Sequence, residues 1–338
     1  MDWYKLKRMN DFAAGCDTEA AWRQVWGRIE RRSRMRLYRR WAGVAAVLAV
    51  AVGAGWWYLR TPVPPRFDER GRQEATLTTA GQERYMLYAG TNTVIGTDQG
   101  LRLAWSTHGE LDYQARQPQA DTLKDVGRHR LEVPRGGEYK LLLADGTRIH
   151  LNAESRLSYP PVFVGSRREV SLQGGEGFFE VAKDPTHPFI VHTAQADIEV
   201  LGTRFNVSAY EADRVVVTLE EGSVRLTAGT DTRLLVPGQQ GVVTRGTIAV
   251  DAVNVRNYTS WATGVYEYEE TTLAAIAQQL SRWYDVDINF ANPALGRRRF
   301  AGVIFRDQPL QQAVDILSKV SDVRFVKRGE TIVIEERK

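Results

Sequence analysis

Side chains that could do chemistry are scattered along this chain, and their spacing matches no known catalytic or metal-binding motif. His187 and His192 are five residues apart and flank a predicted strand, which is not a spacing typical of a metal site. The glycine-rich stretch 174–177 lies between strand-like segments and therefore predicts a β-bulge or a tight turn, not a phosphate-binding loop. The sequence has no G-x-S-x-G elbow and no P-loop, and its one cysteine is Cys16. We therefore predict no enzyme, no metal and no cofactor.

Aromatic side chains are the second feature that could bind a ligand. Trp105, Tyr113 and Trp261 could form a platform on which sugar rings stack, and a pair of carboxylates in a nearby cleft would add glycan cleavage. One function that these residues allow, as an alternative to a protein without catalytic activity, is therefore that of a membrane-anchored periplasmic glycan-binding module or enzyme. Partial burial of the same rings in a core is the simpler interpretation, and we favour it.

One apolar run without a charge, residues 41–59, separates a short N-terminal tail from the rest of the chain. A helix of this length covers about 28 Å, close to the hydrocarbon thickness of a bilayer. Trp41, Trp56 and Trp57 lie at its two ends, where aromatic rings prefer the headgroup layer. A buried core helix is rarely apolar on every face, and the Trp-rich end is a poor cleavage context for a signal peptide. We predict an uncleaved transmembrane helix over 41–59.

Basic residues are distributed unequally around this helix. Several arginines precede it, including Arg36, Arg39 and Arg40, whereas Arg60 alone follows it closely. The positive-inside rule then places the N-terminus in the cytoplasm, with a single pass through the membrane. The net charge of +4 comes mostly from this cluster, which predicts contact with membrane lipid and no direct binding of nucleic acid.

The cytoplasmic tail, residues 1–40, is too short to bury a large core of its own. It contains one apolar stripe with helical spacing, which consists of Trp22, Val25, Trp26 and Ile29. A helical hairpin packed on itself and a helix lying on the membrane are two possible structures. We favour a third, in which the stripe docks in the groove of a partner and the tryptophans act as anchors.

The chain beyond the membrane begins with a linker and a first β segment (60–127) and continues as a β domain (128–260). Short alternating runs separated by Gly, Asp-Gly and Asn predict strands throughout, for example a hairpin of 139–143 and 147–151 around Asp145-Gly146. The predicted fold is mainly β, either a sandwich or a stacked β-roll. No cysteine follows Cys16, so this part of the chain depends on burial and not on disulfides.

Two segments of this region resemble each other weakly. Leu111 and Tyr113 follow a Gly-x-Arg strand pattern in the same way as Leu157 and Tyr159, at an offset of 46 residues. Two copies indicate a repeated pair of strands and do not establish a solenoid.

From residue 261 to 338 the pattern changes to that of a small α+β module. Thr271 or Thr272 caps a first predicted helix, and Pro309 opens a second one. The second helix presents an apolar face that we expect to be buried, made of Leu310, Ala313, Val314, Leu317 and Val320. Strand patterns surround both helices, and the predicted order is β-α-β-β-α-β.

Several short strings of residues follow one another along the β domain. They are Val133-Pro134-Arg135-Gly136-Gly137-Glu138-Tyr139, Leu143-Ala144-Asp145-Gly146-Thr147, Phe179-Glu180-Val181-Ala182-Lys183-Asp184 and Leu201-Gly202-Thr203-Arg204-Phe205-Asn206-Val207. In this order they resemble the FecR-type anti-sigma factors over about residues 128–228. The segment 261–335 is similar to the C-terminal domain often appended in that family, which resembles the small N-terminal domains of secretins and TonB-dependent transducers.

The resemblance implies a regulator of cell-surface signalling. The tail would hold an extracytoplasmic-function sigma factor, with Trp22, Val25, Trp26 and Ile29 as its contacts. The β domain and the C-terminal module would sense an outer-membrane TonB-dependent transducer in the periplasm, and the relay would control transcription of nutrient-uptake genes. A regulatory protease or a rearrangement of the tail would change the hold on the sigma factor. We expect the strings in the β domain to determine its fold and not to bind a partner.

Overall fold

The structure is a computed structural model, and it describes residues 71–89, 94–96, 102–106, 109–113 and 127–337. For 94–96 and 102–106 the description is limited to the backbone. The predicted tail, transmembrane helix and their site residues all lie outside the described residues. Among the helices that are described, none combines the length and the apolarity needed to cross a membrane.

Within the described residues, eighteen strands form the β domain, which here includes the first β segment. In chain order they are β1 (Arg72–Thr78), β2 (Arg84–Tyr88), β3 (Val94–Gly96), β4 (Arg102–Ser106), β5 (Glu110–Asp112), β6 (His129–Glu132), β7 (Gly137–Leu142), β8 (Arg148–Leu151), β9 (Arg156–Tyr159), β10 (Arg168–Glu180), β11 (Phe189–His192), β12 (Asp197–Val200), β13 (Arg204–Glu211), β14 (Arg214–Glu221), β15 (Val224–Ala228), β16 (Asp231–Leu235), β17 (Gln239–Thr244) and β18 (Thr247–Ala252).

These strands pair as two sheets that share β10. The first sheet has the order β2-β1-β6-β9-β10-β11-β12-β15-β16. The second has the order β3-β4-β5-β7-β8-β10-β13-β14-β17-β18. One hydrophobic core collects buried side chains from both sheets, including Phe179, Phe189 and Phe205. The mainly β prediction is therefore confirmed.

Strand β10 spans 13 residues and belongs to both sheets, where the sequence predicted two separate strands. Its register shifts between Leu172 and Gly174, which confirms a bulge in the glycine-rich stretch. Gly175 has φ +84°, and a Cβ there would lie 2.3 Å from the Cα of Ser155. Glycine therefore lets one strand bend from the first sheet into the second without interruption.

The weak internal repeat brings two tyrosines together in the core. The hydroxyl of Tyr113 lies 2.9 Å from that of Tyr159, its equivalent at the offset of 46, and 2.8 Å from Nδ1 of His129. The two tyrosine rings meet edge to face at 5.4 Å. Burial lowers the pKa of His129 to about 4, so the imidazole is neutral in the folded protein at neutral pH.

Acidification should therefore lower the free energy of unfolding through His129. The unfolded chain binds a proton at His129 near its usual pKa, and the folded chain does so only near pH 4, so stability is lost as pH falls through this window. Between pH 7 and pH 5 we expect a loss of about 2 kcal/mol in the free energy of unfolding from this residue alone. Urea unfolding of the wild type and of His129→Gln at both pH values measures this loss of stability. Equal losses in the two proteins would contradict the assignment.

The C-terminal module contains two helices, α1 (Leu273–Tyr284) and α2 (Leu310–Val320). Its strands are β19 (Val265–Thr272), β20 (Asp287–Phe290), β21 (Arg299–Phe305), β22 (Val323–Arg328) and β23 (Thr331–Glu336). Short helical turns cover Arg256–Thr259, Ser260–Thr263 and Pro293–Arg297. In this module, β19 and β21 form a two-stranded sheet, and a separate three-stranded sheet has the order β20-β23-β22.

Two predictions for this module are wrong. The predicted order has six elements, whereas the structure has seven, because the C-terminal hairpin supplies two strands, β22 and β23, after α2. Val320 does not join the buried face of α2, since it is the last residue of the helix and is 63% exposed. The predicted cap is confirmed, because the Thr272 side chain accepts a hydrogen bond from the Ala275 N–H.

Candidate functional site

The candidate site is the interface through which the C-terminal module packs on the β domain. Its centre is Arg306, which follows β21 and is 3% exposed. Its Nη1 lies 2.8 Å from Oε2 of Glu138 in β7 and donates a hydrogen bond of 2.7 Å to the Trp261 carbonyl. Its Nη2 donates to Oδ1 of Asn152 at 3.1 Å. Residues from both parts of the chain thus neutralise one buried cation.

Aromatic rings enclose the same guanidinium group. Its central carbon lies 3.6 Å from the centroid of the Trp283 ring, and the rings of Tyr266 and Trp261 are at 5.2 and 5.5 Å. The rings exclude water and attract the cation through their π faces. We call Arg306, Glu138, Trp261, Tyr266 and Trp283 the arginine cage.

Glu138 stays ionised in this environment. Burial acts to raise its pKa, but the neighbouring His150 and Arg306 outweigh burial and lower the pKa to about 2. Nδ1 of His150 lies 3.0 Å from the Ala262 carbonyl, and its Nε2 lies 3.5 Å from Oε2 of Glu138. His150 therefore links the β8 strand to the segment that leads into the module.

A second buried carboxylate, Glu176, lies on the bent part of β10. It accepts hydrogen bonds from the side-chain amides of Asn152, at 2.8 Å, and Asn206, at 3.0 Å. Burial raises the pKa of Glu176, and these two hydrogen bonds oppose the rise. The other end of the Asn206 amide accepts from the indole N–H of Trp261 at 3.0 Å. Two amides therefore connect Glu176 to the arginine cage.

A half-buried arginine forms the rim of the interface. Arg135 lies in the turn before β7 and reaches the C-terminal end of α1, where it forms ion pairs with Asp285 at 3.4 Å and Asp287 at 2.8 Å. It also donates to the hydroxyl of Ser281 at 2.8 Å. Next to it, Arg282 lies over the ring of Tyr210 at 4.0 Å. These contacts fix the orientation of α1 on the β domain.

The sequence analysis did not anticipate this role of the β-domain strings. Arg135 and Glu138 belong to the first string and Asn206 to the last. All three contact the module, and Asn206 does so at Trp261, the residue with which the module begins. Two glycines of the strings lie at turns, since Gly136 and Gly146 have φ +76° and +87°. Glu138 directly precedes the predicted strand 139–143, and a charge at the start of such a strand was the signal that could have indicated the interface.

Two rings of the predicted sugar platform are buried. Tyr113 and Trp261 are each 2% exposed, as the core interpretation predicted, and Trp105 lies on β4, of which only the backbone is described. His187 and His192 each pair with an aspartate, at 2.7 Å from Asp184 and from Asp197 respectively. Within the described ranges, no group of three or more His, Cys, Asp or Glu side chains is placed to hold a metal ion.

Comparison with known proteins adds to this geometry. The fold and the interface define a two-part protein, in which a β domain carries a docked α+β module. The family model described as FecR protein matches residues 129–225, and the model of the FecR C-terminal region matches residues 265–334. This chain belongs to the FecR family, which confirms the resemblance found in its sequence. A search of curated proteins gives no match.

Solved structures show the same fold. One is a 1.65 Å crystal structure of a proposed anti-sigma factor from Parabacteroides distasonis ATCC 8503, 29% identical to this chain, with a TM-score of 0.56. The match covers 62% of this chain and 99% of the other. A 2.50 Å crystal structure of a proposed anti-sigma factor from the same organism is 28% identical, with a TM-score of 0.56 over 62% and 100% of the two chains.

Removing the arginine of the cage should destabilise the protein strongly. Arg306→Met leaves the Glu138 carboxylate buried without its cation, and we expect a loss of about 3–5 kcal/mol in the free energy of unfolding. The double variant Glu138→Gln with Arg306→Met removes both charges and should lose less than the sum of the two single variants. Urea unfolding of the four proteins measures this coupling.

Arg324→Met is the matched control, because Arg324 pairs with Glu335 while 53% of its own side chain is exposed. Its loss should stay below about 1 kcal/mol. Strictly additive effects at Glu138 and Arg306 would show that the two side chains do not stabilise each other.

Proposed function

We propose that this protein is an anti-sigma factor that carries a signal across the inner membrane. In this proposal residues 41–59 span the membrane, residues 1–40 lie in the cytoplasm, and the β domain and the module lie in the periplasm. Membership of the FecR family and the likeness to the two Parabacteroides proteins support the sigma-factor role. The positive charge before the apolar run supports the orientation.

The arginine cage is the observation that supports a relay most directly. It joins the β domain and the module through a buried ion pair, so an event that moves one part must break or carry along contacts in the other. The partly buried carboxylate of Glu138 and the buried one of Glu176 are both engaged in holding this interface. Such an arrangement fits regulation by conformational change and not catalysis.

The alternative, a glycan-binding module or enzyme, has less support. Tyr113 and Trp261 are buried and cannot offer their faces to a sugar ring. We therefore assign the function to protein–protein contacts at the two ends of the chain.

In the cytoplasm, the proposed partner is an extracytoplasmic-function sigma factor that binds the stripe Trp22, Val25, Trp26 and Ile29. Tryptophan is enriched among the residues that dominate the energy of protein interfaces. The β domain and the module would then control this hold, either through regulated proteolysis or through a rearrangement of the tail. The genes controlled would be those of nutrient uptake, as the family resemblance implies.

Loss of the two tryptophans should abolish the sigma-factor contact. The full chain with Trp22→Ala and Trp26→Ala, solubilised from membranes of the native host, should recover less than a tenth of the sigma factor that the wild type recovers. Each large interface tryptophan is worth about 2 kcal/mol or more, so removing both exceeds a tenfold loss in affinity. Mass spectrometry of the captured proteins measures it.

The matched control is Gln24→Ala with Arg28→Ala, which changes two residues of the same segment that lie off the stripe. This control should recover the sigma factor as the wild type does, and both variants should insert in the membrane. Unchanged recovery with the double tryptophan variant would refute the assignment of the stripe.

In the periplasm, the proposed partner is the signalling domain of an outer-membrane TonB-dependent transducer. In the described part of the chain, β21 pairs only with β19, which leaves one edge of β21 open. Val303 and Phe305 on this strand are 41% and 56% exposed. An open strand edge beside exposed apolar side chains is suited to the addition of a strand from a partner. We therefore place the transducer contact at β21.

Charges at this edge should block the contact. Val303→Asp with Phe305→Asp should reduce capture of the transducer by the full chain at least tenfold, while the free energy of unfolding changes by less than about 1 kcal/mol. Val320→Asp is the control, because Val320 is 63% exposed, more than either residue of the β21 pair, and lies at the end of α2. Normal capture by the β21 variant would exclude this edge as the contact.

A further inference from the structure

The contacts of the module extend to the first residues of the β domain. A Cβ built on Gly71 would lie 2.2 Å from two ring atoms of Trp283, so the Gly71 backbone packs directly against the indole of α1. The same indole stacks on Arg306, and its N–H donates to the Arg306 carbonyl at 3.0 Å. Trp283 thus belongs to the arginine cage and also contacts Gly71, the residue that precedes β1.

Backbone hydrogen bonds also connect the start of β1, the turn before β7 and the end of α1. The N–H of Arg72 donates to the Gly136 carbonyl at 2.7 Å, and the N–H of Gly136 donates to the Arg282 carbonyl at 2.8 Å. Gly136 also approaches α1 closely, because a Cβ on it would lie 3.1 Å from the Cβ of Asp285. The start of β1 is therefore bonded to a turn that is itself bonded to the end of α1.

The first two residues of β1 have a different pairing from the rest of the strand. Arg72 and Gln73 pair with Gly137 and Glu138 of β7, whereas the residues from Glu74 onward pair with β2 and, from Thr76, also with β6. Glu138, the partner of Gln73, is also the residue whose carboxylate binds Arg306. The ion pair that holds the module therefore holds the residue on which the start of β1 depends.

We propose that the C-terminal module clamps the start of β1. The clamp consists of Trp283 and Arg282 of α1, Gly136, and the segment Gly71–Arg72. When the module leaves the β domain, this segment loses its packing surface, and the start of β1 separates from β7. Residues 1–70 precede this point in the chain, so the clamp couples the position of the module to the strand that leads back to them.

The clamp rests on contacts within the described chain, and only its use in signalling rests on the proposed function. Coupling between two sites is reciprocal in free energy, so a change at Gly71 must also loosen the module. This reciprocity allows a test in the full chain, purified in detergent micelles, without any sigma factor or transducer. Failure of the clamp and failure of the proposed function are therefore separate results.

The test is Gly71→Ala, read by hydrogen–deuterium exchange and mass spectrometry. The added methyl group collides with the Trp283 ring, and we expect amide exchange in peptides of residues 273–284 and 72–76 to accelerate at least tenfold. Peptides of β13 and β14 should exchange as in the wild type. Gly174→Ala is the matched control, because a Cβ on Gly174 meets no atom within 4 Å, and its module should exchange at the wild-type rate.

Unchanged exchange of 273–284 in a folded Gly71→Ala chain would overturn the proposal. If that variant does not fold, Arg306→Met tests the coupling from the other side, with Asp285→Asn and Asp287→Asn as a milder combination at the exposed rim. Faster exchange at 72–76 whenever the module exchanges faster supports the clamp. A module that exchanges faster while 72–76 keeps its wild-type rate refutes it.

Discussion

The burial of one guanidinium group is the constraint on which the arrangement of this chain depends. Arginine does not lose its charge in proteins, so Arg306 must be neutralised where it lies. The β domain supplies the carboxylate of Glu138 and the amide of Asn152, and the module supplies the ring of Trp283. Neither part satisfies the group alone. The two parts are consequently more stable together than apart, although each has a hydrophobic core of its own.

Features set by nearby residues could be predicted from the sequence. Asp145-Gly146 predicted the β7–β8 hairpin because glycine adopts the positive φ that its turn requires, and the structure shows φ +87° at Gly146. The cap predicted at Thr271 or Thr272 marks the start of α1, and the structure places Thr272 there. The offset of 46 residues between Tyr113 and Tyr159 indicated a repeated pair of strands, although not that the two hydroxyls would meet.

Features that depend on distant residues could not be predicted in this way. Arg306 and Asn152 are 154 positions apart, and Arg135 and Asp287 are 152 apart, so no local pattern pairs them. The continuity of β10 was missed because glycines usually end strands, whereas here they allow a bend within one. Burial of Glu138 was missed because a carboxylate in an alternating strand is most often on the solvent side.

Strand β10 also limits how the length of the chain can vary. Side chains alternate between the two faces of a strand, so inserting or deleting one residue between Leu172 and Phe178 would turn every later side chain to the opposite face. Val170 on one side of the bulge and Phe179 on the other both lie in the core of the β domain, and the residues on one side of the change would then leave it. Related sequences can therefore gain or lose residues in the hairpin loops, while this segment can diverge only by substitution.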